Sequence, residues 1–143
     1  MKLTSIYPPQ QHSTQKAVPL LTSRVAAGFP SPADDYIETD LNLHDYAVKH
    51  PAATFFVRAT GESMVEVGIQ PNDVLVVDRA LTALNGDVVI AALDGELTVK
   101  QLQLTKNKAW LIPRNPEFKP IEITNHLDCV IWGVVAHSLH SFR

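Results

Sequence analysis

Ser63, in the run Thr60-Gly61-Glu62-Ser63-Met64, and Lys100, in Leu97-Thr98-Val99-Lys100, are the two side chains whose types could do chemistry together. A serine hydroxyl attacks a carbonyl when a base takes its proton, and a neutral lysine amine can be that base in place of histidine and aspartate. An ordinary lysine is neutral in only roughly one molecule in two thousand at neutral pH, so such an amine must sit where charge is disfavoured. Gly61 adds a turn at which backbone N–H groups could face outward and hold a developing oxyanion. The chemistry would be acyl transfer. Each residue also has a plainer reading, since serine after glycine is common in turns and most lysines carry their ammonium to water. By spacing alone, the solvated lysine is the better supported reading of Lys100. The run Gly61-Glu62-Ser63-Met64-Val65 lacks the second glycine of a GxSxG elbow, so an α/β-hydrolase is not indicated.

The elements that must position these side chains read as strands. Thr54 to Arg58, Val74 to Val77, Val88 to Leu93, Leu97 to Leu104, Ala109 to Ile112, Ile121 to Ile123 and Cys129 to Val135 are short, rich in β-formers and separated by turn residues. Asn85-Gly86 and Asp94-Gly95 are strong turn signals. A two-residue turn at Asp94-Gly95 pairs Leu93 with Glu96 and, counting outward, sets Lys100 opposite Val89. Lys100 then shares a strand face with Thr98, Leu102 and Leu104, among apolar neighbours. A short helix is expected between Asp40 and His50, with Asp40 as N-cap and Pro51 closing it. The fold class that follows is mostly β, of packed and twisted antiparallel sheets.

The chain has 143 residues, 45% hydrophobic and 19% charged, which is the composition of one folded domain. No apolar run approaches a membrane span and the first residues lack the apolar core of a signal peptide, so a cytoplasmic protein is expected. Cys129 is the only cysteine, which excludes an intrachain disulfide. His12, His44, His50, His126, His137 and His140 show no metal-ligand spacing; neither a metal nor a cofactor is expected. Charge divides the chain more sharply than composition does. Lys2, Lys16 and Arg24 are the only charged side chains before Gly28, an arm of +3, whereas the remaining nine Lys and Arg face all 15 acidic residues, a body of -6. An acidic body gives no reason to bind a phosphate backbone directly. The arm carries Pro8-Pro9, Ser13-Thr14-Gln15 and Pro19 with no sustained period, and reads as flexible or extended. Val25-Ala26-Ala27-Gly28-Phe29-Pro30 suits an extended strand and stops any helix.

From about Ala26 to Ser138 the chain resembles a known family. Phe29-Pro30-Ser31-Pro32-Ala33, Gly61-Glu62-Ser63-Met64, Gly68-Ile69, Asp73 to Asp78, Gly86 to Ala91, Leu97-Thr98-Val99-Lys100, Pro113-Arg114-Asn115 and Trp132 to Val135 are similar, in order, to the UmuD and MucA branch of the LexA-type self-cleaving serine peptidases. The resemblance implies a signal-peptidase-like catalytic fold, a homodimer, Ser63 as nucleophile, Lys100 as general base, and backbone N–H groups of Glu62 and Ser63 as oxyanion donors. It implies cleavage between Ala27 and Gly28, dividing the chain into a released arm, 1–27, and a peptidase and dimerisation domain, 28–143. Relatives often have Cys-Gly at that bond; Ala-Gly resembles the site of the LexA repressors, and both are small. The expected partners are a RecA filament on single-stranded DNA as co-protease and a UmuC-type lesion-bypass polymerase. Only 27 residues precede the bond, too few for a winged-helix DNA-binding domain, so a repressor is not expected. The competing class is a non-proteolytic β-rich dimeric regulatory subunit that binds a polymerase through its arm. A membrane signal peptidase shares the serine and lysine but requires an anchor.

Overall fold

Runs of β-formers between turn residues build an antiparallel protein around the hairpin turned at Asp94 and Gly95. A computed structural model describes residues 2–8, 18–21 and 37–143. In chain order the elements are β1 (Lys2–Tyr7), β2 (Val18–Leu21), β3 (Ile37–Leu41), α1 (Leu43–Ala47), β4 (Thr54–Thr60), β5 (Val74–Asp78), β6 (Val88–Leu93), β7 (Glu96–Leu104), β8 (Ala109–Ile112), β9 (Ile121–Ile123) and β10 (Cys129–Leu139). One sheet of eight strands runs β1-β4-β5-β10-β6-β7-β8-β9, and β2 pairs with β3 in a separate ribbon. A further pairing of Lys2 with Thr98 joins β1 to β7 and closes part of the large sheet into a ring.

The hairpin register follows from the turn. Asp94 and Gly95 both have positive φ, 48° and 85°, the backbone that matches the twist of two adjoining strands. Leu93 therefore faces Glu96 and Val89 faces Lys100, as the turn residues predict. Both faces of this hairpin are buried. Ile90 and Val99 join Val57, Ala59, Met64, Ile69, Leu75 and Val77 in one core cluster, while Val89, Ala91 and Leu102 join Leu111 and Val134 in a second. A strand buried on both sides gives any polar residue in it apolar surroundings.

β10 passes between these layers by bending. Its first half pairs with β6 and its second half with β5, with register shifts between Ile131 and Gly133 and between Val135 and His137. Such bulges sharpen the local twist and carry a strand around a corner. Gly133 sits at the first of them because there is no room for a side chain: an added Cβ would lie 2.6 Å from Val77 Cγ1 and 3.2 Å from Arg79 Cγ. Gly133→Ala should lower unfolding stability by about 1 to 3 kcal/mol through overpacking, read from the shift in denaturant midpoint at constant slope.

One expectation changes here. The helix spans Leu43–Ala47 and is capped by Asn42, whose side chain accepts from Asp45 N–H at 3.1 Å, instead of by Asp40. Asp40 and Leu41 are taken up in β3, paired with Pro19 and Val18, so the next residue with a short amide or carboxylate side chain does the capping. Within the arm, which the sequence reads as flexible or extended, Lys2–Tyr7 and Val18–Leu21 are extended and paired. The Ala27–Gly28 bond lies outside the described residues.

Candidate active site

β4 runs out at Thr60, and the chain reverses through Gly61, whose φ of 85° a side-chain-bearing residue adopts only with strain. Glu62 then projects to solvent while Ser63 and Met64 turn inward, both 0% exposed. Met64 is a member of the first core cluster, and its burial anchors the turn from below. A short 3-10 turn at Val65–Val67 follows, ending at Gly68 in the left-handed region. The segment after β8 straps this turn down: Arg114 N–H donates to the Ser63 carbonyl at 2.6 Å, Glu66 N–H donates to the Arg114 carbonyl at 2.9 Å, and Asn115 Nδ2 donates to the Glu62 carbonyl at 2.8 Å.

Lys100 arrives from β7 on the face the hairpin register dictates. It is 7% exposed, and its Nζ lies 2.8 Å from Thr98 Oγ1, 3.1 Å from the Val99 carbonyl and 3.5 Å from Ser63 Oγ. The last distance is long for a hydrogen bond but is a contact that a small shift closes, as resting catalytic pairs often require. Burial pushes the Lys100 pKa below the ordinary lysine value. The two side chains singled out in the sequence lie 3.5 Å apart, and Lys100 is buried, so its solvated reading does not hold. Thr98 was visible only as a residue sharing Lys100's face; that parity is the signal that it could touch the amine. Arg114 and Asn115 carried no expected role, because nothing local marks them as neighbours of Ser63.

The pair is covered. Lys2 of β1 pairs with Thr60 on one side and Thr98 on the other, and Leu3 packs against the core cluster that holds Ala59, Met64 and Val99. Among the described residues no three His, Cys, Asp or Glu side chains converge as a metal site requires. Nor is any helix among them long and apolar enough to cross a membrane.

A family model described as Peptidase S24-like matches residues 19–136. The chain belongs to this family. That match spans the turn of Ser63, the strand of Lys100 and the strap at Arg114 and Asn115. Among curated relatives, the chain is 49% identical to protein SamA of Salmonella typhimurium over 94% of each chain. It is 48% identical to protein MucA of Escherichia coli over 86% of this chain and 84% of that one. It is also 39% identical to the LexA repressor of Ectopseudomonas mendocina, over 90% of this chain and 62% of the repressor. Similarity to the MucA-type proteins thus runs nearly end to end, whereas the match to the repressor covers 62% of its length.

Proposed function

We propose that this chain is a self-cleaving serine peptidase that cuts its own Ala27–Gly28 bond with Ser63 and Lys100, releasing residues 1–27 from the domain formed by residues 28–143. The observation that carries this reading is the buried Lys100 amine 3.5 Å from Ser63 Oγ. In the reaction Lys100 Nζ takes the Ser63 proton, Oγ bonds to the Ala27 carbonyl carbon, and the N–H groups of Glu62 and Ser63 hold the resulting oxyanion. Collapse breaks the bond to the Gly28 nitrogen, which leaves with the proton from Lys100. Water, deprotonated by the same amine, then frees Ala27 from Ser63 as a carboxylate. No metal or cofactor is needed.

The covered state of the site fits a reaction that waits for a trigger. With Ser63 0% exposed, a peptide reaches it only when its surroundings move, and a partner that favours the open arrangement raises the rate by shifting that population. Similarity to the MucA-type proteins and to a LexA repressor supports a RecA filament on single-stranded DNA as that partner, during the SOS response to DNA damage. On the same ground the shortened product, as a homodimer in the cytoplasm, serves as accessory subunit of a UmuC-type error-prone polymerase in lesion bypass. Purified protein held at alkaline pH should yield a fragment whose first residue is Gly28. The same fragment should form at neutral pH with RecA, an ATP analogue and single-stranded DNA. A chain that stays whole under both conditions sinks the peptidase reading.

A further inference from the structure

The two peptide units that flank the Ser63 α-carbon are each tied to the segment after β8. The unit after Ser63 is held through its own carbonyl by Arg114 N–H at 2.6 Å, and the unit before it through the Glu62 carbonyl by Asn115 Nδ2 at 2.8 Å. We infer that Asn115 is a positioning residue for the cleavage reaction: by holding the Glu62 carbonyl it fixes the peptide plane whose other end is the Ser63 N–H, and so aims that N–H at the oxyanion. The inference rests on the function proposed above.

The physical step is the rigidity of the peptide unit. In a trans unit the C=O and the following N–H lie in one plane and point in opposite directions, so a bond that fixes one fixes the other. The Glu62–Ser63 unit follows Gly61 in the left-handed region and the Glu62 side chain is exposed; a second bond to the Glu62 carbonyl, from Val65 N–H, is longer than that from Asn115, at 3.4 Å. Asn115 by contrast is well held. It is 9% exposed, and its Oδ1 accepts from Glu117 N–H at 3.0 Å. That bond also decides which end of the amide faces Glu62, because only the oxygen can accept from Glu117 and only the NH2 group can donate to a carbonyl. A hydrogen-bond donor aimed before the charge develops costs no reorganisation when it forms, which is why alignment of this plane bears on rate.

The test is the first-order rate of self-cleavage of the full chain, followed across the alkaline range for the wild type, Asn115→Asp and Asn115→Ala. Asn115→Asp nearly keeps the size and the bond from Glu117 but sets an acceptor against an acceptor; Asn115→Ala removes the donor without adding charge. Both should lower the plateau rate by about 10- to 100-fold, less than or similar to the loss of a whole oxyanion donor. In Asn115→Ala the pH midpoint of the rate should stay at the wild-type position, because Lys100 and its surroundings are untouched. A plateau within about twofold of wild type in Asn115→Ala overturns the inference. So does a slow rate that arises from a displaced midpoint, which would put the effect on Lys100. Melting of both variants below the assay temperature would make Asn115 a residue of folding alone and overturn it as well. A wild type that does not cut sinks this inference together with the peptidase reading, whereas a cutting wild type matched by its variants sinks this one only.

Discussion

Ser63→Ala should leave the chain whole at alkaline pH and in the presence of a RecA filament, with a loss of rate of about 10⁴-fold or more. The substitution removes one oxygen and with it the only atom of this residue that can form an acyl bond. Its structural cost should be small. Ser63 is 0% exposed, and removing one buried hydroxyl that takes part in hydrogen bonding costs on the order of 1 kcal/mol, so the variant should stay folded. The same incubation followed by mass measurement decides the matter. A Gly28 fragment from Ser63→Ala at the wild-type rate would assign the chemistry to another nucleophile, while an unfolded variant would be revealed by its melting curve.

Lys100 makes two linked predictions, one for rate and one for stability, and they share a sign. Burial holds its pKa below 10.5, so the neutral amine needed as base appears at a lower pH than for a free lysine. The rate of cleavage should rise by about tenfold per pH unit and then level off at a midpoint below that ordinary value. Lys100→Met should remove the rise and cost about 10²- to 10⁴-fold in rate. For stability, the unfolded chain keeps the ordinary lysine pKa and therefore binds more protons than the folded chain between the two values. Wild-type stability must then climb with pH through that window, relative to Lys100→Met, and stop gaining once pH passes 10.5. A pair of denaturant titrations along the pH axis tests this without reference to activity. If the wild type lost ground to the variant as pH rose, Lys100 would have to be stabilised as a charged group in the fold.

How far the site could be read from residues alone depends on the range of the contact. The register of Lys100 is a local matter: Asp94 and Gly95 both take positive φ, the turn is two residues long, and counting along two strands sets Val89 against Lys100. The Ser63 turn is equally local, set by Gly61 and anchored by the apolar Met64 beside it. Asn115, by contrast, reaches a carbonyl 53 residues away. Such a contact depends on how β8 returns past the turn, and no spacing rule carries that information. The helix cap moved from Asp40 to Asn42 for a related reason, since pairing with β2 claimed Asp40 first. β1 and β2 are harder to read in the sequence because strand pairing is made by backbone groups that every residue carries, and Lys2 and Ser5 in β1 and Pro19 in β2 interrupt the runs of β-formers that mark strands such as β5 and β6.

The closure of the sheet by β1 has a consequence in mass action. While the chain is continuous, this six-residue strand is held beside β4 at an effective concentration on the order of millimolar, so even weak pairing keeps it in place. A single hydrolysed bond between Leu21 and Ile37 would turn β1 from part of the molecule into a ligand of it. Its residence then depends on dilution set against its pairing with β4, the pairing of Lys2 with Thr98, and that of β2 with β3. Departure of that ligand leaves the facing backbone edges of β4 and β7 open, and open strand edges are templates for another chain. Hydrolysis of one peptide bond would in this way exchange an internal strand for a vacant place, with free energy supplied by dilution alone.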